Sequence, residues 1–293
     1  MKVQTQSFNS EFDSVLTETL DRFLMGVDGT TPKALQEAIR YSLLAPGKKI
    51  RPRLLLACAE MLGLPSQQVL PAAIAIEMIH CFTLIHDDLP CMDDDDFRRG
   101  LPSNHKKFGE STALLAGDSL IALAFDVFLD SPVEMPHLKH GLKRLAWASG
   151  PRGVTGGQAA EEDLSKDSSI EQLHQMHRQK TGALFIASLL IPKDLAGIPD
   201  SSAEGQSILT FADQLGLAFQ VADDLEDLKE AAPGTFQPEP TSVLFFLSPE
   251  QARQRTLEQL TAASQRLATH WGERAQVLCQ IAEEVIRKLQ ISN

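Results

Sequence analysis

Apolar side chains recur along almost the whole chain at intervals of three and four. Leu16, Leu20, Phe23 and Leu24 share one helical face, as do Leu35, Ile39 and Leu43. That spacing marks amphipathic helices, and strand-type alternation is absent over any useful length. The pattern predicts helices near 11–25, 32–44, 52–62, 70–88, 110–129, 136–149, 169–191, 201–229, 248–270 and 272–290. Start signals reinforce it. Thr31-Pro32 puts a cap residue before a proline at the first helical position, and the stretches 168–171, 201–204 and 248–251 each fit the Ser-x-x-Glu/Gln capping box. Connections are short and no linker-like segment divides the chain, so one all-α domain over residues 1–293 is expected.

Composition narrows the picture. Hydrophobic residues make up 43% of the chain, enough for a sizeable core, while aromatics reach only 6% and Leu and Ala are abundant, which favours helix over strand. A net charge of −12 argues against nucleic-acid binding through the bulk field. An anionic ligand then needs a local basic cluster or bridging cations. The four cysteines show no C-x-x-C spacing, the opening MKVQTQSFNSEFDS lacks the apolar run of a secretory leader, and no run approaches the ~20 apolar residues of a membrane span. A reduced, soluble, cytosolic protein is expected.

Against that background one stretch stands out. HDDLPCMDDDDFRRG, His86 to Gly100, packs six aspartates and two arginines into thirteen residues. It is not an EF-hand: counting from Asp93, the sixth position is Arg98 instead of Gly and the twelfth Asn104 instead of Glu. Asp87 and Asp93 fall on different faces of a straight helix, but Pro90 breaks the ladder between them, so Asp93 can turn back. A second cluster, Asp223, Asp224 and Asp227, ends another apolar helix, with Asp223 and Asp227 four apart on one face. Oxygen-only ligands suit Mg²⁺, which shares carboxylates with substrate phosphates. Arg98-Arg99 and GKKIRPR (Gly47 to Arg53) supply cations suited to diphosphate.

In order along the chain, PGKKIRP, IEMIHCFTLIHDDLPCMDDDDFRRG, PSNHKKFGE, LLAGDSL, GGQAAEED, HRQKTGALF and GLAFQVADDLED resemble the trans-polyprenyl diphosphate synthases, the bacterial farnesyl diphosphate synthase branch above all. The resemblance implies a helical bundle of the isoprenoid synthase type around a central cavity. It implies three Mg²⁺ ions (Mn²⁺ substituting) held between the motifs and an allylic diphosphate by Asp87, Asp88 and Asp93 and by Asp223 and Asp227. Arg98 and Lys180 would also contact that diphosphate. Lys48, Arg51, His80 and Arg99 match the isopentenyl diphosphate pocket, Thr181 and Gln220 lie near the developing cation, and Phe82 matches the residue limiting product length. The implied activity is condensation of isopentenyl diphosphate with dimethylallyl or geranyl diphosphate to farnesyl or geranyl diphosphate, by a homodimer. Two departures bear on it. Glu239-Pro240 stands where the family carries a lysine, in a shorter loop after Asp227, and Pro46 replaces the first glycine of the GGK turn. A weakened homologue or partner subunit, and a head-to-head terpenoid enzyme (DDLED fits D-x-x-E-D), are the alternatives.

Overall fold

The computed structural model describes residues 2–25, 30–231 and 235–291. Among the described residues the chain is all-α apart from one hairpin of two two-residue strands, and it divides into two compact units. The first comprises residues 1–53 and 67–132, the second 54–66 and 133–293.

The first unit holds α1 (Lys2–Met25), α2 (Lys33–Leu43), the opening turn of α3 (Ile50–Leu62), nearly all of α4 (Ser66–Asp87), the hairpin β1 (Phe97–Arg98) and β2 (Leu101–Pro102), α5 (Asn104–Phe108) and α6 (Glu110–Leu129). Its core is built from the stripes seen in the sequence: Leu16 and Leu20, Ile39 and Leu43, Ile76, and Phe128 are buried. Burial removes apolar surface from water at roughly 25 cal/mol per Å², which explains why α4, apolar on every side, lies inside. The helix runs through Pro71 at the cost of a ladder hydrogen bond.

The second unit holds the rest of α3, then α7 (Met135–Ser149), α8 (Val154–Glu162), α9 (Ile170–His177), a π-helical turn (Arg178–Gly182), α10 (Ala183–Leu195), α11 (Ala203–Glu230), α12 (Pro249–Trp271) and α13 (Gln276–Ile291). Every residue of α10 is buried, and it packs against α7 and α11.

Local rules account for several boundaries and correct others. Ser248 and Gln251 form the expected capping box, whereas the box at α9 uses Ser169 and Gln172, one residue later than read. Ser202, and not Ser201, caps α11, and it does so without a box. Pro32 precedes α2 instead of opening it, because its ψ of 135° is extended. The expected helix over 169–191 is two helices joined by the π turn, and α10 continues past Pro192 to Leu195. Helices α4 and α6 are, contrary to the sequence reading, long and apolar enough to cross a membrane, because so few charges interrupt them. That window of α4 is 72% buried, as a core helix requires, against 39% for α6.

Candidate active site

In the first unit the acidic run folds as Pro90 requires. Helix α4 stops at Asp87, and the chain doubles back so that the Asp93 amide donates to the Asp87 carbonyl at 2.9 Å and the Asp94 amide to the Leu89 carbonyl at 3.2 Å. This brings Asp93 alongside Asp87. Asp94 takes a left-handed φ of 52° to close the turn. Asp93 is exposed and Asp87 half-buried, but Asp88 points inward. There Arg98 donates to it through Nε at 2.7 Å and again through Nη2, and also reaches Asp95 at 2.8 Å. Burial pushes the Asp88 carboxyl up despite Arg98; burial also opposes the charge on Arg98, but the hydrogen bond to Asp88 together with the charges of Asp88, Asp95 and Asp87 outweighs it and raises the Arg98 pKa. Asp88 and Arg98 are therefore committed to each other in this state.

Beyond Arg98 the hairpin turns at Arg99 and Gly100, both at positive φ (55° and 76°), a primed-type turn in which Gly100 is at home. Tyr41 donates to the Pro102 carbonyl at 2.8 Å and fixes the hairpin against α2. This lays the Arg99 guanidinium over Gly47, where an added Cβ would come within 2.8 Å of it. A larger residue there would make the flexible Arg99 side chain shift. His80, Arg51 and Arg99 form one cluster: burial first, then the charges of Arg51, Arg99, Lys49 and Arg98, hold His80 well below its ordinary pKa, so it is neutral. Lys48 is exposed beside the cluster. Its twin Lys49, which the sequence did not single out, is buried at a left-handed φ of 45°. It donates to Glu77 at 3.1 Å and to the Leu43 carbonyl at 3.0 Å. That buried pair anchors the GKKIRPR loop. Phe82 is buried with its ring edge-on to His86, centroids 5.7 Å apart.

In the second unit a cavity of about 350 Å³ is lined by Glu161, His177, Lys180, Gln220, Asp224 and Asp227 together with the segment 236–242. Lys180 sits in the π turn, a feature that often marks functional positions, and its backbone packs so tightly on Gly157 that no side chain fits there. Its ammonium pairs with Glu161 of the GGQAAEED motif. Thr181 donates to Gln220 at 2.9 Å, and Gln220 donates to Asp224 at 3.0 Å. Asp224 is buried and also accepts from the Ser242 hydroxyl (2.9 Å) and the Val243 amide (2.7 Å). It ties the chain after α11 back onto the helix, a role the sequence could not show. Asp223 and Asp227 remain exposed. Partial burial, then the charges of Asp224, Glu230 and Glu226, push the Asp227 carboxyl up.

Of the shortened loop, residues 232–234 lie outside the described residues. Phe236, Pro238 and Glu239 line the cavity, Glu239 where a cation would be wanted. Among the described residues no three His, Cys, Asp or Glu side chains converge into a ready-made metal cage. Asp93 in the first unit, and Asp223 and Asp227 in the second, nonetheless offer exposed carboxylate oxygens. Oxygen donors of this kind suit Mg²⁺, which takes its remaining ligands from water and phosphate oxygens.

The chain belongs to the polyprenyl synthetase family, whose model matches residues 32–235. It is 39% identical over 273 residues to the farnesyl diphosphate synthase of Geobacillus stearothermophilus, covering 92% of this chain and 89% of that protein. It is 38% identical over 265 residues to the chloroplastic geranylgeranyl pyrophosphate synthase of Capsicum annuum, covering 87% and 71%. A crystal structure of a geranyltransferase from Legionella pneumophila superposes with a TM-score of 0.86 at 28% identity, covering 99% of each chain.

Proposed function

We propose that this protein is a short-chain prenyltransferase that condenses isopentenyl diphosphate with an allylic diphosphate, geranyl diphosphate foremost, to give farnesyl diphosphate. The observation that carries the reading is the cluster of Arg51, His80 and Arg99 beside Gly47. A cyclase takes a single diphosphate and has no use for a second diphosphate pocket; a head-to-head enzyme binds two allylic diphosphates, and omitting isopentenyl diphosphate from the assay separates it. Arg51 and Arg99 hold the isopentenyl diphosphate with Lys48, and neutral His80 serves as a hydrogen-bond partner without adding charge.

Asp87, Asp93, Asp223 and Asp227 would hold magnesium. When bound, it neutralises the leaving diphosphate as a Lewis acid and template. Asp88 holds Arg98, and Glu161 holds Lys180, until the allylic diphosphate draws those cations to itself. Both add fixed positive charge where the leaving group becomes negative. The allylic C–O bond breaks, the isopentenyl double bond attacks the resulting cation, and a proton leaves to give a product five carbons longer. The departing diphosphate is the acceptor we assign for that proton. The Thr181–Gln220 pair turns oxygen lone pairs toward the cation. Phe82 limits the room for the growing chain, which favours the fifteen-carbon product over longer ones. With Glu239 in place of a lysine, we expect poorer affinity for the allylic substrate than for isopentenyl diphosphate.

The exposed apolar side chains of α6, Leu114, Leu115 and Leu129, favour a homodimer, and the four free cysteines favour a reducing cytosol. The test is an assay with isopentenyl and geranyl diphosphates, with and without Mg²⁺, with product identification. Metal-dependent farnesyl diphosphate supports the reading. Turnover of an allylic diphosphate alone would transfer the protein to another terpenoid class.

A further inference from the structure

The second unit carries another cavity, of about 670 Å³, along one face of α7 and against the end of α10. It shares no lining residue with the candidate active-site cavity. Helix α7 is anomalous in so acidic a protein: between Met135 and Ser149 it carries His137, Lys139, His140, Lys143 and Arg144 and no carboxylate. His137, His140, Arg144 and Trp147 follow each other at helical spacing down the cavity wall, about 15 Å of helix.

The charges there fall into two sets. Arg144 donates to Asp194 at 2.9 Å and to both Asp200 oxygens at 3.0 Å. Lys193, fully buried, donates to the Ile198 carbonyl at 2.8 Å and pairs with Asp194 and Asp200. Two cations and two carboxylates so interlocked make a rigid, neutral floor. The second set has no such balance: among the described residues Lys143 and Arg152 enter no ion pair, and both line the same space. The half-buried indole of Trp147 adds a flat apolar wall beside Ile198 and Pro199.

Two cations without a paired carboxylate and an aromatic face, lining one cavity, suit a ligand with a polyanionic part and a planar part. The volume lies within the usual small-molecule range of ~300–1,000 Å³. We infer that this cavity is a binding site for a nucleotide-type organic polyphosphate, its phosphates on Lys143 and Arg152 and its base against Trp147.

The chain has two tryptophans, so Trp271→Phe leaves Trp147 as the only indole reporter. ADP is titrated into this protein in the presence of EDTA, which keeps metal-bridged diphosphate binding at the active site out of the signal. The expected result is a saturable fluorescence change with ADP, with adenosine and inorganic pyrophosphate each binding at least about tenfold more weakly. Lys143→Glu with Arg152→Glu should weaken ADP by about tenfold or more while the condensation rate stays unchanged. Both residues are exposed, and circular dichroism checks the fold. No saturable response to ADP, an ADP affinity untouched by the double charge reversal, or equal affinity for ADP and pyrophosphate would each overturn the assignment.

Discussion

Replacing Phe82 with alanine should lengthen the product. The ring is 4% exposed and sits edge-on to His86 one turn further along α4, between the buried neighbours Cys81 and Thr83. Removing a buried aromatic costs about 3–5 kcal/mol, a large share of the roughly 5–15 kcal/mol that holds a typical domain together. The variant should therefore melt earlier than wild type. Its effect on the product has the opposite sign. Five more carbons buried at about 0.8 kcal/mol per CH₂ gain about 4 kcal/mol, enough to favour one further condensation if the vacated space admits the chain. Phe82→Met keeps most of the volume on a flexible side chain, costs less than about 1.5 kcal/mol, and should give a smaller shift in a well-folded protein. Products from isopentenyl and geranyl diphosphates, dephosphorylated and separated by reversed-phase chromatography, read the outcome. If both folded variants release the wild-type chain length, Phe82 is core packing and the reasoning fails.

Asp224→Ala should destabilise the fold by at least about 1–3 kcal/mol, because it orphans the buried Val243 amide along with Ser242 and Gln220. Asp223→Ala should change stability by about 0.5 kcal/mol or less yet remove most activity; urea melts and turnover separate the two. Asp227→Asn should raise stability at neutral pH while impairing turnover. The native carboxyl binds its proton more tightly than the unfolded one, so wild-type stability falls as pH rises from the ordinary carboxylate range through the raised native value. Melting curves across that range should show the Asn advantage vanish in acid. Glu239→Lys should lower the allylic KM by about tenfold to a hundredfold, the equivalent of one charge-assisted hydrogen bond of roughly 1.5–3 kcal/mol, and leave the isopentenyl KM alone.

The helical architecture was legible because its signal is local: stripes such as Leu16, Leu20 and Leu24 appear in the sequence as they do in the core. The return of Asp93 to Asp87 was legible too, since Pro90 forbids the straight path. What escaped depends on neighbours distant in sequence. Nothing near Lys48 and Lys49 says which one turns inward; Glu77, on another helix, decides it. The helical period pairs Asp223 with Asp227 but cannot reveal that Asp224 is taken by Ser242 and Val243. The π turn at Arg178–Gly182 falls inside the stretch 169–191 expected as one helix, and α8, only nine residues long with Gly156 and Gly157 inside it, gives a weak helical signal. In α4 and α10 burial outweighs the local objection of Pro71 and Pro192.

The central claim is that the cations around Gly47 receive isopentenyl diphosphate and not the allylic substrate. Steady-state kinetics of Arg99→Ala, with each substrate varied at saturating magnesium, test it most directly. Loss of one charge-assisted contact should raise the isopentenyl KM by about tenfold or more and leave the allylic KM at its wild-type value. An unchanged isopentenyl KM, or an equal rise in both, would contradict the account.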